Sequence, residues 1–226
     1  MKINKKNRSL VNIIGAPLTI FCIFYSQTSF SIYILFIVLL SFFEFFKLIN
    51  NYASFSILNV TLGFIWISSL TFFIQLYQEF NSEFILIVFL SIWITDSAAY
   101  IMGKNFGKAK ILPSVSPNKT WVGSLSGLFF TTFFLFYFYY QTLIDSYDLL
   151  PLSNVNFTHL DFIFLSLIIG IFCQAGDFME SAFKRKLGVK DSSELLLGHG
   201  GFLDRFDSFY FVGIGLYLFL TFRNLI

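Results

Sequence analysis

The sequence predicts an all-α, polytopic membrane protein of about seven transmembrane helices with two polar cytoplasmic loops. Three observations lead there. Of the 226 residues 56% are hydrophobic, and Phe alone supplies 34, against the ~45–50% apolar share usual in soluble domains. Charged residues make up 12%, about half the usual ~25%, too few to cover a water-soluble surface of this size. The apolar residues also fall into seven runs of roughly 17–25 residues, the length at which a helix crosses hydrocarbon. A soluble enzyme, a disordered chain and a secreted disulfide scaffold are excluded. No internal repeat and no Pro- or Ser-rich linker divides the chain, so residues 1–226 read as a single membrane domain.

The first run, 10–27, follows Lys2, Lys5, Lys6 and Arg8 and so resembles the start of a signal peptide. No small-residue cleavage site closes it, and a second run, 30–49, follows almost at once. The two read as a helical hairpin turning around Gln27–Phe30. The remaining spans are expected at 56–78, 83–103, 121–143, 159–180 and 206–223. With the N-terminus in the cytoplasm, 14 of the 15 Lys and Arg residues fall on the cytoplasmic side, leaving Arg223 alone at the far end. The opposite loops carry Glu79, Glu83, Asp145, Asp148 and Asp161 and no base. This bias sets the orientation and supports an odd number of spans, as expected of a multi-pass protein of the cell inner (cytoplasmic) membrane. A net charge of +2 points to no nucleic-acid partner. Cys22 and Cys173 lie inside apolar runs and read as small hydrophobes, without disulfide, metal or redox role.

Acids near spans carry the chemical information, because an ionised carboxylate in hydrocarbon must pair, face a wet cavity or hold a cation. Asp96 lies two-thirds along the inward-running fourth span. Asp177 and Glu180 close the sixth, and Asp204 and Asp207 open the seventh, all towards the cytoplasmic leaflet. Asp177, Glu180 and Lys184 share one helix face by their spacing, as do Asp204 and Asp207. If the sixth and seventh spans are neighbours, Asp177 and Asp204 point into one cleft. Oxygen-only ligands at such a boundary suit Mg²⁺, which takes one or two carboxylates together with substrate phosphates. No Cys or His cluster is available for zinc. For Glu180 and Asp207 a second reading stands beside this one, helix-end pairing with Lys184 and Arg205. Glu44, three residues before Lys47, reads as half of a structural ion pair.

Two loops have room for polar chemistry. The first, GKNFGKAKILPSVSPNKTWVG over 103–123, interleaves glycines with lysines and gathers Ser116, Asn118 and Lys119 at the mouth of a span, a composition suited to phosphate oxygens. The second runs from Gly176 to Asp207 and sets His199 among Gly198, Gly200 and Gly201, where a ring has little to pack against and contact with a ligand or partner is the better reading. Carboxylates for an ion and cations for developing negative charge are what a metal-assisted phosphoryl or nucleotidyl transfer needs.

Ser181-Ala182-Phe183-Lys184-Arg185, Lys190-Asp191 and the run from His199 to Asp207, HGGFLDRFD, resemble the signature of the phosphatidate cytidylyltransferases, or CDP-diacylglycerol synthases. Gly176-Asp177 and Glu180-Ser181 are similar to that family's GD-x-x-ES lead-in. Asp96, Tyr100 and Gly103, followed by FGK and SPNKTW, resemble a second family block, and weaker agreement in the first two spans includes Glu44. Departures are Leu197 for a small residue or Pro, Val122 for a Glu, and Ser97-Ala98 for a Thr-Gly pair. The resemblance implies transfer of a cytidylyl group from CTP to phosphatidic acid in phospholipid biosynthesis, giving CDP-diacylglycerol and pyrophosphate. It further implies Mg²⁺ on Asp177 and Asp204, a second cation being optional, with Asp96 or Asp207 in support. Lys184, Arg185, Lys190, Arg205 and His199 are then expected to bind triphosphate or lipid phosphate, with Ser116, Asn118, Lys119 and Ser181 in the substrate site. Family members resemble homodimers, so a second copy is a candidate partner. Two alternatives remain open: a CTP-dependent kinase of polyprenol-type lipids, and a cation-coupled transporter lined by Asp96 and its companions.

Overall fold

The computed structural model describes residues 5–52, 57–144, 157–193, 195–196 and 200–226. Helices α1 (Lys5–Tyr25), α2 (Gln27–Tyr52), α3 (Ile57–Ser68), α4 (Phe72–Glu79), α5 (Ser82–Phe106), α6 (Trp121–Ile144), α7 (His159–Lys186) and α8 (Leu203–Phe222) follow one another in the chain. A 3₁₀ turn, Ser69–Thr71, joins α3 to α4 into one rod, so the α-helices form seven rods. Among the described residues the only β-type pairing is an isolated antiparallel bridge between Lys110 and Thr120. Among the described residues five helices are long and apolar enough to cross a membrane: Gln27–Asn51, Ile57–Glu79, Ser82–Phe106, Trp121–Gln141 and His159–Lys186. The chain is a multi-pass membrane protein. Helix α1 has a shorter apolar stretch, Ile14–Tyr25, and α8 begins with Asp204, Arg205 and Asp207, which lower the hydropathy of its first turns.

The ends of the helices are set by local chemistry. Between α1 and α2 the break is Ser26 alone, tighter than the expected turn over Gln27–Phe30. Ser29 N–H donates to Ser26 Oγ at 3.0 Å and Ser26 N–H to Ser29 Oγ at 3.1 Å, a reciprocal cap that lets α2 start at Gln27. Asn81 caps α5 by accepting from Phe84 N–H at 2.9 Å. Thr158 and Asp161 form a capping box at the start of α7. Asp161 does more than sit in an acidic outer loop: it is buried and accepts two bonds from Arg223, at 2.6 and 3.0 Å, which fasten the start of α7 to the end of α8.

The core lies where α2, α4, α5 and α8 meet. The ring of Phe89 stands 5.9 Å from Phe30, 5.2 Å from Phe73 and 4.8 Å from Phe209, separations at which aromatic pairs attract beyond their area burial. Tyr210, fully buried, donates to Ser41 Oγ at 2.6 Å. The 3₁₀ turn falls where α8 comes close: Ser69 Oγ reaches the Tyr210 carbonyl at 2.7 Å, and the Gly213 backbone lies against the Ser69 carbonyl. Helices α5, α6 and α7 are joined by hydroxyl and amide contacts, Thr95 to Thr131, Thr132 to Ser166 and Ser124 to Gln174, each of the kind that contributes about 0.6 kcal/mol within a membrane. Rings such as Phe43, Phe129 and Phe133, on helices long and apolar enough to cross a membrane, face outward. At one end of the bundle this packing gathers the C-terminal ends of α2, α5 and α7 with the N-terminal ends of α6 and α8.

Candidate active site

The segment between α5 and α6 folds into a short hairpin. Ile111 N–H donates to the Lys119 carbonyl at 3.2 Å and Trp121 N–H to the Ala109 carbonyl at 3.1 Å. The hairpin is seated by Thr120, whose side chain is buried against the backbones of Gly103 and Gly107. A Cβ on Gly107 would strike Thr120 and the Gly103 carbonyl. Gly107→Ala is therefore expected to lower stability by about 1–3 kcal/mol, the usual cost of overpacking, read as a fall in thermal midpoint in detergent. The seat delivers Lys119, which pairs with Asp177 and lies 4.8 Å from the centre of the Phe178 ring. Ser116 is half-buried and Asn118 exposed on the same hairpin. Arg185 Nε donates to the Val115 carbonyl at 3.3 Å, a second tie between hairpin and α7.

Around Asp177 the acids collect. Ser181 Oγ donates to Asp177 Oδ1 at 3.3 Å. The Gly176 backbone packs on the Asp207 carbonyl, which draws α7 and α8 together there, and Asp207 lies within electrostatic reach of Asp177, Asp96 and Lys119. Asp96 accepts from Cys173 Sγ at 3.2 Å and from Ser208 Oγ at 3.4 Å. It keeps accessible surface. Asp177 thus pairs with Lys119, and Asp96 and Asp207 lie in the same electrostatic neighbourhood.

Asp204 sits in a second, tighter group. Lys184 Nζ lies 2.5 Å from both Asp204 Oδ1 and Glu180 Oε2. The other Asp204 oxygen accepts from Ser192 N–H at 2.8 Å, Ser192 Oγ at 2.8 Å and Gly201 N–H at 2.7 Å. Gly200 makes this closure possible: it adopts φ +78°, and a Cβ there would also meet the Asp204 carboxylate. Glu180 pairs with Lys184, as one of its two readings expected. Lys190 and Arg205 are exposed at the rim. His199, with Leu197 and Gly198, lies outside the described residues. Among the described residues no group of three or more His, Cys, Asp or Glu side chains is arranged to hold an ion.

Glu44 departs from its expected pairing with Lys47. It is fully buried and accepts from Ser192 Oγ at 3.1 Å, Ser193 Oγ at 2.6 Å, Phe202 N–H at 2.9 Å and Leu203 N–H at 2.9 Å. The unfilled N–H groups at the start of α8 are stronger partners for a buried carboxylate than a solvated lysine one helical turn away. Spacing along α2 points only to Lys47, since these donors stand about 150 residues distant in the chain.

Residues 49–223 match the model of the cytidylyltransferase family. The chain belongs to this family. Among curated relatives, a phosphatidate cytidylyltransferase of Staphylococcus aureus (strain COL) is 44% identical over 139 residues, covering 60% of this chain and 49% of the relative. One from Staphylococcus haemolyticus is 44% identical over 130 residues, covering 58% and 46%. One from Staphylococcus saprophyticus is 41% identical over 142 residues, covering 62% and 50%. The chain spans about half the length of the curated relatives it matches. The match takes in both polar loops of this cytidylyltransferase-family chain and begins five residues after Glu44.

Proposed function

We propose that this chain transfers the cytidylyl group of CTP to phosphatidic acid, forming CDP-diacylglycerol and pyrophosphate at the cytoplasmic face of the inner membrane. The observation that carries the reading is the convergence, at one end of a membrane-embedded bundle, of an open group, Asp96, Asp177 and Asp207 with Lys119, and a closed group, Lys184 with Glu180 and Asp204. Both lie in segments matched to the family. Seven crossings with a cytoplasmic N-terminus suit the placement, since they put this end and nearly all the bases on the side where CTP is dissolved. Assembly as a homodimer belongs to the same reading.

The phosphatidate oxygen is already anionic and needs no strong base. It attacks the α-phosphorus of CTP, the bond from that phosphorus to the bridging oxygen of the β-phosphate breaks, and pyrophosphate leaves with the electron pair. What the protein must supply is alignment of two anions and compensation of their charge. Lys119, Arg185, Lys190 and Arg205 surround the cleft with cations for triphosphate and lipid phosphate, while Ser116, Asn118 and Ser181 offer neutral hydrogen-bonding groups. The acids offer oxygen donors alone, the chemistry a hard divalent ion takes together with substrate phosphates, although no three of them surround one ion position among the described residues. Asp177, partly open to solvent, would hold Mg²⁺, with Asp96 or Asp207 in support. Asp204, whose carboxylate already accepts four hydrogen bonds, joins only if Lys184 gives way. When bound, Mg²⁺ neutralises phosphate oxygens and stabilises the charge developing on pyrophosphate.

The test is direct. The purified chain in phosphatidate-containing micelles, given CTP labelled in the cytidine, is expected to form a labelled lipid and equimolar pyrophosphate, with the product lost when Mg²⁺ is chelated. A phosphorylated alcohol together with CDP would establish the lipid kinase instead, and no CTP-dependent product at all would end the reading.

A further inference from the structure

We infer that Glu44 is a positioning residue for the transfer: from α2 it holds Ser192, Ser193, Phe202 and Leu203, and through Ser192 the carboxylate of Asp204, in working geometry. The inference rests on the function proposed above. A fully buried carboxylate ordinarily keeps a cation beside it. Glu44 instead takes four N–H and O–H donors, one from each of these residues, and no ion pair to it occurs among the described residues.

Three features tie it to the site rather than to packing alone. Phe202 provides α8 with no side-chain cap, so Glu44 fills that place from another helix, where the positive end of the helix favours a negative charge. The Ser192 hydroxyl lies 3.1 Å from Glu44 Oε2 and 2.8 Å from Asp204 Oδ2. It has one proton to give, so the two carboxylates share it and the position of one depends on the other. Finally, the Gly201 backbone is wedged between them: a Cβ there would meet both Glu44 oxygens and Ser192 Oγ, while Gly201 N–H donates to Asp204 at 2.7 Å. Asp204 in turn holds Lys184 at 2.5 Å. Displacing Glu44 therefore shifts, in succession, the loop, Asp204 and a candidate phosphate-binding lysine.

Glu44→Gln retains the shape, removes the charge and turns an N–H donor towards other donors. In the whole chain it is expected to lower kcat at least about tenfold, the factor for one lost charged hydrogen bond. KM for CTP is expected to stay within about twofold, and hydrogen exchange at the amides of residues 200–203 to rise. Glu44→Asp should recover part of kcat. Ser192→Ala should lower kcat as well, and its combination with Glu44→Gln should cost less than the product of the two single losses, because both act through one link. A Glu44→Gln protein with unchanged kcat but a lower melting temperature would show a role in folding alone and overturn the inference, as would fully multiplicative losses. Should Glu44→Gln fail to accumulate, Ser192→Ala decides, and unchanged kcat overturns the link. A wild-type chain without transfer activity would defeat the proposed function itself, whereas an active wild type with an indifferent Glu44 defeats only this inference.

Discussion

Asp177→Asn is expected to leave a chain that inserts and folds while transferring cytidylyl groups on the order of 10³-fold more slowly, the scale on which single groups stabilising transition-state charge act. The amide matches the carboxylate in size and can still accept from Ser181. What disappears is the charge that pairs with Lys119 and that would help to hold a divalent ion. Because Asp177 is partly open to solvent, with 30% of its side chain exposed, the folded state has little reason to weaken. The measurement is turnover per mole of protein in phosphatidate micelles across a Mg²⁺ titration, alongside the melting temperature. Full turnover at ordinary Mg²⁺ would remove Asp177 from the chemistry, and a collapsed melting temperature would recast it as structural.

Lys184→Met is expected to fail in the opposite manner, losing stability as well as rate. The ammonium group is the cation between Glu180 and Asp204, whose side chains are 2% and 9% exposed. Its removal leaves two nearly dry carboxylates confronting each other, a loss of about 3 kcal/mol on the scale for breaking buried pairs. Adding Glu180→Gln relieves that confrontation, so the double variant should regain much of the lost stability. It should not regain turnover if, as expected from the sequence, Lys184 also serves a substrate phosphate. Thermal melts of the three proteins with parallel rate measurements separate the two effects. A Lys184→Met chain as stable as the original would show that this trio contributes little to the fold.

Much of the helical arrangement was legible in residue order, because a membrane helix must be a long apolar run and the bundle has little room for anything else. The expected spans and observed helices share their middles, and differences gather at the ends. Ser26 and Ser29 cap each other in a way no hydropathy pattern encodes, and α7 continues to Lys186 because its last turn is basic and suits the helix end. The site was legible where charge alone was the signal. Asp177, Glu180, Asp204 and Asp207 stood out as acids at helix ends and Asp96 as one slightly deeper in its span, with Lys184 as a partner on the Glu180 face. Contacts between distant segments were not legible. Nothing in the neighbourhood of Glu44 points to Phe202 N–H, nothing near Asp161 points to Arg223, and the backing of Asp204 by Gly201 N–H needs the loop already folded. Glycines 103, 107 and 123 read as phosphate-loop residues, whereas Gly103 and Gly107 leave the room in which Thr120 sits and Gly123 packs its backbone against α5.

The bond between Arg223 and Asp161 has a mechanical consequence. With α7 and α8 clamped there and again through Lys184 and Asp204 at the opposite extremity, the pair behaves as a single stiff wall, unable to part like scissor blades. Any breathing is then left to the facing wall, the hairpin of residues 107–120. Its moorings to α7 are one lysine–aspartate pair, the Phe178 ring and one guanidinium–carbonyl contact. On the proposed function, a phosphate arriving at Lys119 would compete for the very group that ties this hairpin to Asp177, so that entry and unlocking would be one event.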